Sequence, residues 1–141
     1  MSLQLVRTLL KHSVELGGFG KVLDKVSIVS VDHGKIVAEM KVEAEHLNVF
    51  NTLHGGLIAT IVDVIPSLGH LTHPNGARGG SSATTNLDIA YLNSAKVGDE
   101  IVITANTVKA GKTLAFLEAK ITEKISGKVI ATATHIKFVK D

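Results

Sequence analysis

A strongly apolar segment at residues 55–71 predicts a helix that is buried on nearly every side. Its apolar residues recur at steps of four and three, the spacing of one helix face: Leu57, Ile61, Val64, Leu68 and Leu71. Further apolar residues occupy the other faces, so this helix should be enclosed by the rest of the domain. Pro66 lies inside the segment and lacks a backbone N–H, so it should kink the helix or restart it.

The residues before this segment predict one further helix and a pair of strands. Residues 1–16 carry apolar side chains at helical spacing and stop at Gly17 and Gly18, which predicts a helix packed on the edge of the domain. A mitochondrial targeting helix has a similar pattern and is the alternative, although this segment is poor in arginine and serine. Residues 26–42 alternate around His33-Gly34, as in a β-hairpin.

After a loop at residues 72–82, the period of the pattern changes to two. In the strand that follows, one face carries Leu87, Ile89 and Tyr91 and the other carries Asn86 and Asp88. Three more strands are predicted, at residues 101–108, 114–121 and 129–139. A mostly antiparallel sheet curled around the apolar helix is the simplest way to bury it. The chain is therefore predicted to be a single α+β domain over residues 1–141.

Composition excludes several classes of function. Hydrophobic residues make up 45% of the 141-residue chain, which suits a globular core, and the net charge is only +2. Aromatic residues are 4% and the basic residues form no dense block, so we expect no nucleic-acid partner. The uncharged apolar runs are shorter than the roughly 18 residues that span a bilayer, so no transmembrane segment is expected. The absence of cysteine permits a reducing compartment, and we expect a cytoplasmic protein, with the mitochondrion as the alternative.

A single carboxylate stands out in the apolar helix. Between Glu45 and Arg78, Asp63 is the only formally charged residue. An isolated charge in apolar surroundings is costly to desolvate, so it should be paired, protonated or functional. One interpretation is a structural carboxylate held by backbone or hydroxyl donors. The other is catalytic, because Gly55 and Gly56 at the helix start leave backbone N–H groups open to a developing oxyanion.

The two halves of such a hydrolytic centre are too far apart to act on one carbonyl. Gly55 and Asp63 are eight residues apart, which is roughly 12 Å along a helix axis. If they cooperate, a second antiparallel copy of the helix must bring its Asp63 to this Gly55. The sequence therefore predicts a site made from two chains.

The motifs resemble those of the hotdog-fold acyl-CoA thioesterases over nearly the whole chain. The resemblance is carried by GKIVAEMKVEAEHLN, NTLHGGLIATIVD, IAYLNSAKVGDEIVITA and GKTLAF. It implies a hotdog fold, with a sheet wrapped around a long central helix. It also implies homodimers with composite active sites and sheets joined edge to edge, and homotetramers formed from two dimers.

The resemblance implies a role for each residue of the motif. Asn48 and Gly55 would polarise the thioester carbonyl, and Asp63 would act as base on water or as nucleophile across the dimer interface. Thr84 would take the place of a serine that orients the water, with Ser81, Ser82 and Thr85 as neighbouring candidates. His54 would act as an acid or polarise the carbonyl, or it would simply orient the loop.

Coenzyme A would be bound by two segments that match such stretches in similar proteins. The predicted substrate-binding residues are Asn86, Tyr91, Leu92, Asn93, Ser94, Ala95, Lys96, Lys109, Ala110, Gly111, Lys112 and Thr113. Of the basic residues Lys96, Lys109, Lys112, Lys137 and Arg78, most should be solvated surface charges and a few should meet phosphate. The histidines lack the spacing of a metal motif, so we predict no metal and no cofactor beyond the substrate's own coenzyme A.

The expected function is hydrolysis of medium- to long-chain fatty acyl-CoA, as part of fatty acid and lipid metabolism. The apolar lining of the acyl tunnel should come from Leu57, Ile61 and the strand faces. Two alternatives stay open. One is a hotdog enoyl-thioester hydratase or dehydratase using His54 and Asp63, and the other is a non-catalytic acyl or lipid carrier.

Overall fold

The computed structural model describes residues 1–76 and 82–139. It contains two α-helices and six strands in the predicted order, with short 3₁₀ turns at Phe19–Leu23 and Ala44–His46. The helices are α1 (Leu3–Glu15) and α2 (Gly55–Leu71). The strands are β1 (Ser27–Asp32), β2 (Lys35–Lys41), β3 (Ser82–Tyr91), β4 (Glu100–Ala110), β5 (Leu114–Glu123) and β6 (Val129–Val139).

The six strands form one antiparallel sheet in the order β1-β2-β4-β5-β6-β3. The α+β prediction is confirmed, because α2 packs against five of the strands and supplies much of the core. Ile61, Val62 and Ile65 of this helix are completely buried. The next strand in the chain after α2 is β3, which lies at one edge of the sheet and, among the described strands, pairs only with β6.

Helix α2 runs without interruption through Pro66, so the predicted restart does not occur. Proline removes one backbone hydrogen bond, but most helical stability in proteins comes from packing of the apolar face. The sheet covers that face here, and Pro66 itself is buried against it. The next residue, Ser67, donates its hydroxyl to the backbone carbonyl of Asp63 over 2.6 Å.

The predicted β1–β2 hairpin is confirmed, with His33 and Gly34 as its two turn residues. Their φ angles are 45° and 91°, and two positive values are what the tight hairpin turn requires. The Gly34 N–H is accepted by the Thr72 hydroxyl, and the Gly34 carbonyl accepts from Thr107. The turn is therefore held from both sides.

Helix α1 is part of the domain, as predicted, because Val6 and Leu10 are buried in the main core. The Arg7 guanidinium also donates two hydrogen bonds, of 3.0 and 2.9 Å, to the Ile28 carbonyl of β1. Among the described residues, no helix has both the length and the apolar character needed to cross a membrane.

Candidate active site

Asp63 lies on the side of α2 that its own sheet leaves open. Its side chain is 45% exposed, so the expectation that it is enclosed by apolar residues is wrong for a single chain. The Thr84 hydroxyl of β3 donates to Asp63 Oδ1 over 2.7 Å. The register of β3 against β6 shifts between Thr84 and Asn86, and such a bulge re-aims the side chains next to it.

The neighbouring hydroxyls on β3 have other surroundings. Thr85 donates to the Ile136 carbonyl at 3.2 Å. Ser82 lines the same cavity as Asp63 without a hydrogen bond to it, and Ser81 lies outside the described residues. Thr84 is thus the hydroxyl that this fold brings to Asp63, and its role in orienting water stays a prediction.

Two residues of β6 complete the surroundings of Asp63. His135 Nε2 lies 2.7 Å from the Thr84 hydroxyl and 3.4 Å from Asp63 Oδ1. Lys137 donates to the Ser67 hydroxyl over 2.7 Å. His135 is 1% exposed and Lys137 is 7% exposed. Lys137 is therefore an exception to the prediction that most of these basic residues are solvated surface charges.

The hydrogen bonds define the state of His135. Because the Thr84 proton goes to Asp63, the Thr84 oxygen accepts from His135, which puts the imidazole proton on Nε2. Nδ1 is then unprotonated, and it is buried without a partner among the described residues. Burial lowers the pKa of His135, the Asp63 carboxylate opposes this, and the Lys137 ammonium adds to it. The imidazole is neutral at pH 7 because its ordinary pKa is already below 7.

A cavity of about 440 Å³ opens beside these groups. Its polar lining includes Asp63, Thr84 and Lys137, and its apolar lining is Leu9, Val64, Leu68 and Leu71. The predicted apolar residues Leu57 and Ile61 do not line this cavity in the single chain, and the described strand residues that line it, Ser82, Thr84 and Lys137, are polar. Ile61 is completely buried in the core, and Leu57 lines a separate cavity of about 610 Å³ beside His54.

The other predicted half of the site is the start of α2. His54 Nδ1 accepts the Gly56 N–H at 2.8 Å and caps the helix. Its side chain therefore holds the loop, as in the structural interpretation. Among the hydrogen bonds of the described residues, none uses the Gly55 N–H. The Tyr91 hydroxyl donates to the Gly55 carbonyl at 2.9 Å, which fixes this first helical residue.

Asn48 shapes the loop that precedes the helix. Its Oδ1 accepts from the backbone N–H groups of Phe50 and Thr52, and its Nδ2 donates to the Thr52 hydroxyl at 3.0 Å. An asparagine amide carries two hydrogens. One of them is therefore left for a ligand.

Within one chain, the two halves of the predicted site lie apart. Gly55 and Asp63 are separated by roughly 12 Å along α2. Thr84 and Tyr91 stand near opposite ends of β3, roughly 23 Å apart for seven residues of strand. The fold unites Gly55 with Tyr91 and Asp63 with Thr84, but it does not unite the two pairs.

The predicted coenzyme A segments divide in the same way. Residues 92–96 follow the Tyr91 end of β3, whereas residues 109–113 include the β4–β5 turn, at the end of the sheet where β3 begins. Lys96, Lys109 and Lys112 are exposed, as is Asn86, while Ala95 is buried in the core. Arg78 lies outside the described residues.

In the part of the chain that the structure describes, no cluster of three candidate ligands could hold a metal ion.

An antiparallel sheet curled around one long helix, with a carboxylate on the helix and the open Gly55 amide at its start, defines the hotdog class of thioester enzymes. The family model of the thioesterase superfamily matches residues 50–130, and the chain belongs to this family. It is a thioester hydrolase with the hotdog fold. The resemblance and fold class predicted from the motifs are thus confirmed.

Individual relatives agree over the full length. The chain is 45% identical to human acyl-coenzyme A thioesterase 13 over 96% of this chain and 95% of the relative, with the same figures for the orangutan protein, Pongo abelii. Zebra fish thioesterase superfamily member 2 has a TM-score of 0.92 and 40% identity, covering 99% of both chains. A Streptococcus mutans protein, smu.793, solved with acetyl CoA, has a TM-score of 0.74 and 28% identity, covering 83% of this chain and 90% of its own.

Proposed function

We propose that this protein hydrolyses medium- to long-chain fatty acyl-CoA to a fatty acid and free coenzyme A. The observation that carries the proposal is the Asp63 carboxylate, hydrogen-bonded by Thr84 at the polar side of a cavity whose other side is apolar. Relatives named acyl-coenzyme A thioesterase 13 support acyl-CoA as the substrate class. The protein would therefore serve fatty acid metabolism.

In the proposed reaction, Asp63 activates the attack on the thioester carbonyl. As a general base it takes a proton from water, and the hydroxide equivalent adds to the carbonyl carbon while the thiolate of coenzyme A leaves. As a nucleophile its carboxylate bonds to the carbonyl carbon, the C–S bond breaks to release the thiolate, and water then opens the resulting anhydride to give the fatty acid and the free carboxylate. Thr84 donates to one carboxylate oxygen, and His135 fixes the direction of that donation, so the second oxygen is left to face the water.

The oxyanion would be held by the Gly55 N–H and the spare Asn48 hydrogen. A helix N-terminus favours negative charge, and a donor fixed in advance stabilises the charge as it develops. Because His54 Nδ1 accepts the Gly56 N–H, a neutral His54 imidazole carries its proton on Nε2, where it can be donated. Hydrolysis does not depend on that proton, because a thiolate leaves without a strong acid.

We further propose that the working unit is a homodimer, paired through β3. An edge strand presents unpaired backbone groups to a partner, and β3 has ten residues with only β6 beside it. Antiparallel pairing with a second β3 would set the Tyr91 end of one chain against the Thr84 end of the other. Each site would then combine Gly55 and Asn48 of one chain with Asp63 of its partner. Homotetramers of two such dimers, and a cytoplasmic or mitochondrial location, stay predictions.

The acyl chain would occupy the apolar side of the Asp63 cavity, where each buried CH₂ contributes roughly 0.8 kcal/mol. The nucleotide end of coenzyme A would lie along the exposed lysines 109 and 112 at the same end of the sheet. These lysines can meet phosphate without loss of packing, because both are exposed.

The test is thiol release from acyl-CoAs of increasing chain length, with the matching pantetheine thioester as truncated substrate and the Asp63→Asn variant as control. We expect rates that rise with chain length and fall for the truncated substrate. Absence of thiol release from every member would refute hydrolysis. Tight binding without turnover would then favour the acyl carrier, and loss of enoyl absorbance would favour the hydratase.

A further inference from the structure

Lys137 is a buried cation beside the catalytic carboxylate, and the reaction described above gives it no role. Lys137 is only 7% exposed, and its ammonium group donates a hydrogen bond to the Ser67 hydroxyl. A lysine is rarely buried to this extent unless it is paired. One neutral hydroxyl is weak compensation for an ammonium group, so the position calls for a counter-charge.

The candidate counter-charge is Asp63. Both groups line the same cavity, and Ser67 holds Lys137 close to Asp63, since it accepts from Lys137 and donates to the backbone carbonyl of Asp63. Burial lowers the pKa of the Lys137 ammonium, while the Asp63 carboxylate raises it. The ammonium therefore feels the carboxylate, although no direct hydrogen bond joins them.

The other groups that face Asp63 do not supply this charge. From β6, His135 is neutral at pH 7 because burial lowers its pKa. From β3, Thr84 gives a hydroxyl. From α1, the cavity receives only Leu9 and Ser13, which do not titrate. Among the described residues that line the cavity, Lys137 is thus the one cation.

We propose that Lys137 is a positioning residue that keeps Asp63 ionised when an acyl chain displaces water from the cavity. The inference rests on the proposed thioesterase activity. Asp63 is partly exposed in the free chain, so water can stabilise its charge there. A bound alkyl chain removes that water, which disfavours the charged carboxylate unless a nearby cation compensates. The fixed ammonium provides this compensation in every turnover, at the step where the base must be deprotonated.

A structural role alone would predict a different result. If Lys137 only ties β6 to α2 through Ser67, its loss would lower activity by the same factor at every pH. If Lys137 holds Asp63 ionised, its loss would lower kcat/KM mainly at acidic pH. Without the ammonium the carboxylate takes up a proton at higher pH, so the acid limb of the kcat/KM profile moves upward.

The experiment measures kcat/KM for a long-chain acyl-CoA between about pH 5 and 9 in three variants whose folding is checked by thermal melting. Lys137→Met removes the charge but keeps the length, Lys137→Arg keeps the charge, and Ser67→Ala keeps the lysine but removes its hydroxyl partner. We expect Lys137→Met to move the acid limb of the kcat/KM profile to higher pH by about one unit or more. At pH values below the limb kcat/KM should fall about tenfold relative to wild type, and at basic pH it should recover. The Lys137→Arg and Ser67→Ala limbs should stay near the wild-type position.

A Lys137→Met limb at the wild-type pH, or a loss that is equal at all pH values, would overturn the proposal while leaving the thioesterase function intact. If Lys137→Met does not fold, Lys137→Gln serves instead, since its amide can still donate to Ser67 without carrying charge. An unshifted limb in that variant would overturn the proposal equally. Absence of thiol release in the wild-type protein would refute the proposed function itself and this role with it.

Discussion

The composite site can be tested by mixing two inactive chains. Gly55 and Asp63 are roughly 12 Å apart along α2, and a carbonyl oxygen and its carbon are adjacent atoms. One chain therefore cannot present both residues to one thioester. An Asp63→Asn chain retains the oxyanion donors, and a chain altered at Asn48 retains the base, so each should repair the other.

The structure guides the choice of the second variant. Asn48 Oδ1 accepts two backbone N–H groups of its loop, so Asn48→Ala would disturb the loop as well as the donor. Asn48→Asp keeps both accepting positions and removes only the Nδ2 donor, while the Thr52 hydroxyl can donate in its place. Any loss of activity in this variant then reports on the missing donor and the added charge.

The expected recovery follows from counting. Chains unfolded together in equal amounts and refolded should form hybrid dimers in half of the cases, and each hybrid has one intact site of its two. The mixture should therefore regain about a quarter of the wild-type specific activity if the dimer is isologous. The assay is thiol release, with mass spectrometry of intact dimers to prove mixing. Proven hybrids with no recovery would refute the shared site.

Three further outcomes are expected. Asp63→Asn should lower kcat about a thousandfold, the middle of the range for loss of a general base. Thr84→Ala should lower kcat less, and Thr84→Ser should keep the wild-type kcat because it retains the hydroxyl. Equal rates for Asp63→Asn and wild type in the thiol-release assay would contradict the role of Asp63 as base. Leu9→Trp should fill the cavity and shift the chain-length optimum of kcat/KM to shorter acyl-CoAs, while Leu5→Trp, at a 46% exposed position of the same helix, should not. Burial lowers the pKa of His70 in the folded chain, so the unfolded chain binds a proton first, and the stability of the fold falls as the pH drops through the unfolded pKa near 6.5. His70→Leu should reduce the fall in Tm between about pH 7 and 5. An unchanged slope of Tm against pH would contradict this role of His70.

The order of the elements was predictable because periodicity reports directly on which faces are buried. The period of two along residues 129–139 marked β6 with its observed bounds. Thr84 was reached by matching the motif of the resemblance to this chain, and not from strand alternation, which the bulge between Thr84 and Asn86 interrupts. Of the two effects predicted for Pro66, a kink or a restart of the helix, the restart does not occur, because local propensity does not include the sheet that packs on α2.

The surroundings of Asp63 were harder to predict. In the structure His135 and Lys137 are buried, whereas Thr134 and Phe138 are exposed and Ile136 is intermediate. The sequence carried no signal of this burial, because the apolar Ile136 and Phe138 lie on the opposite face of the strand from His135 and Lys137. Their chemistry becomes visible only when β6 pairs with β3, where Lys137 lies opposite Thr84. This pairing joins residues more than fifty positions apart, and no local pattern specifies it.

The exposure of Asp63 also changes the interpretation of α2 as a helix enclosed by its own chain. A lone carboxylate in an apolar segment suggested burial by the same chain, yet the sheet covers only part of α2 and leaves Asp63 at 45% exposure. On the open side, the cavity lining mixes Asp63 and Ser67 with Val64, Leu68 and Leu71. Such a mixture suits a surface that is closed only when substrate and a second chain arrive. Under the proposed mechanism, the cost of desolvating the carboxylate would fall on the bound complex, where Lys137 and Thr84 would offset it, and not on folding of the single chain.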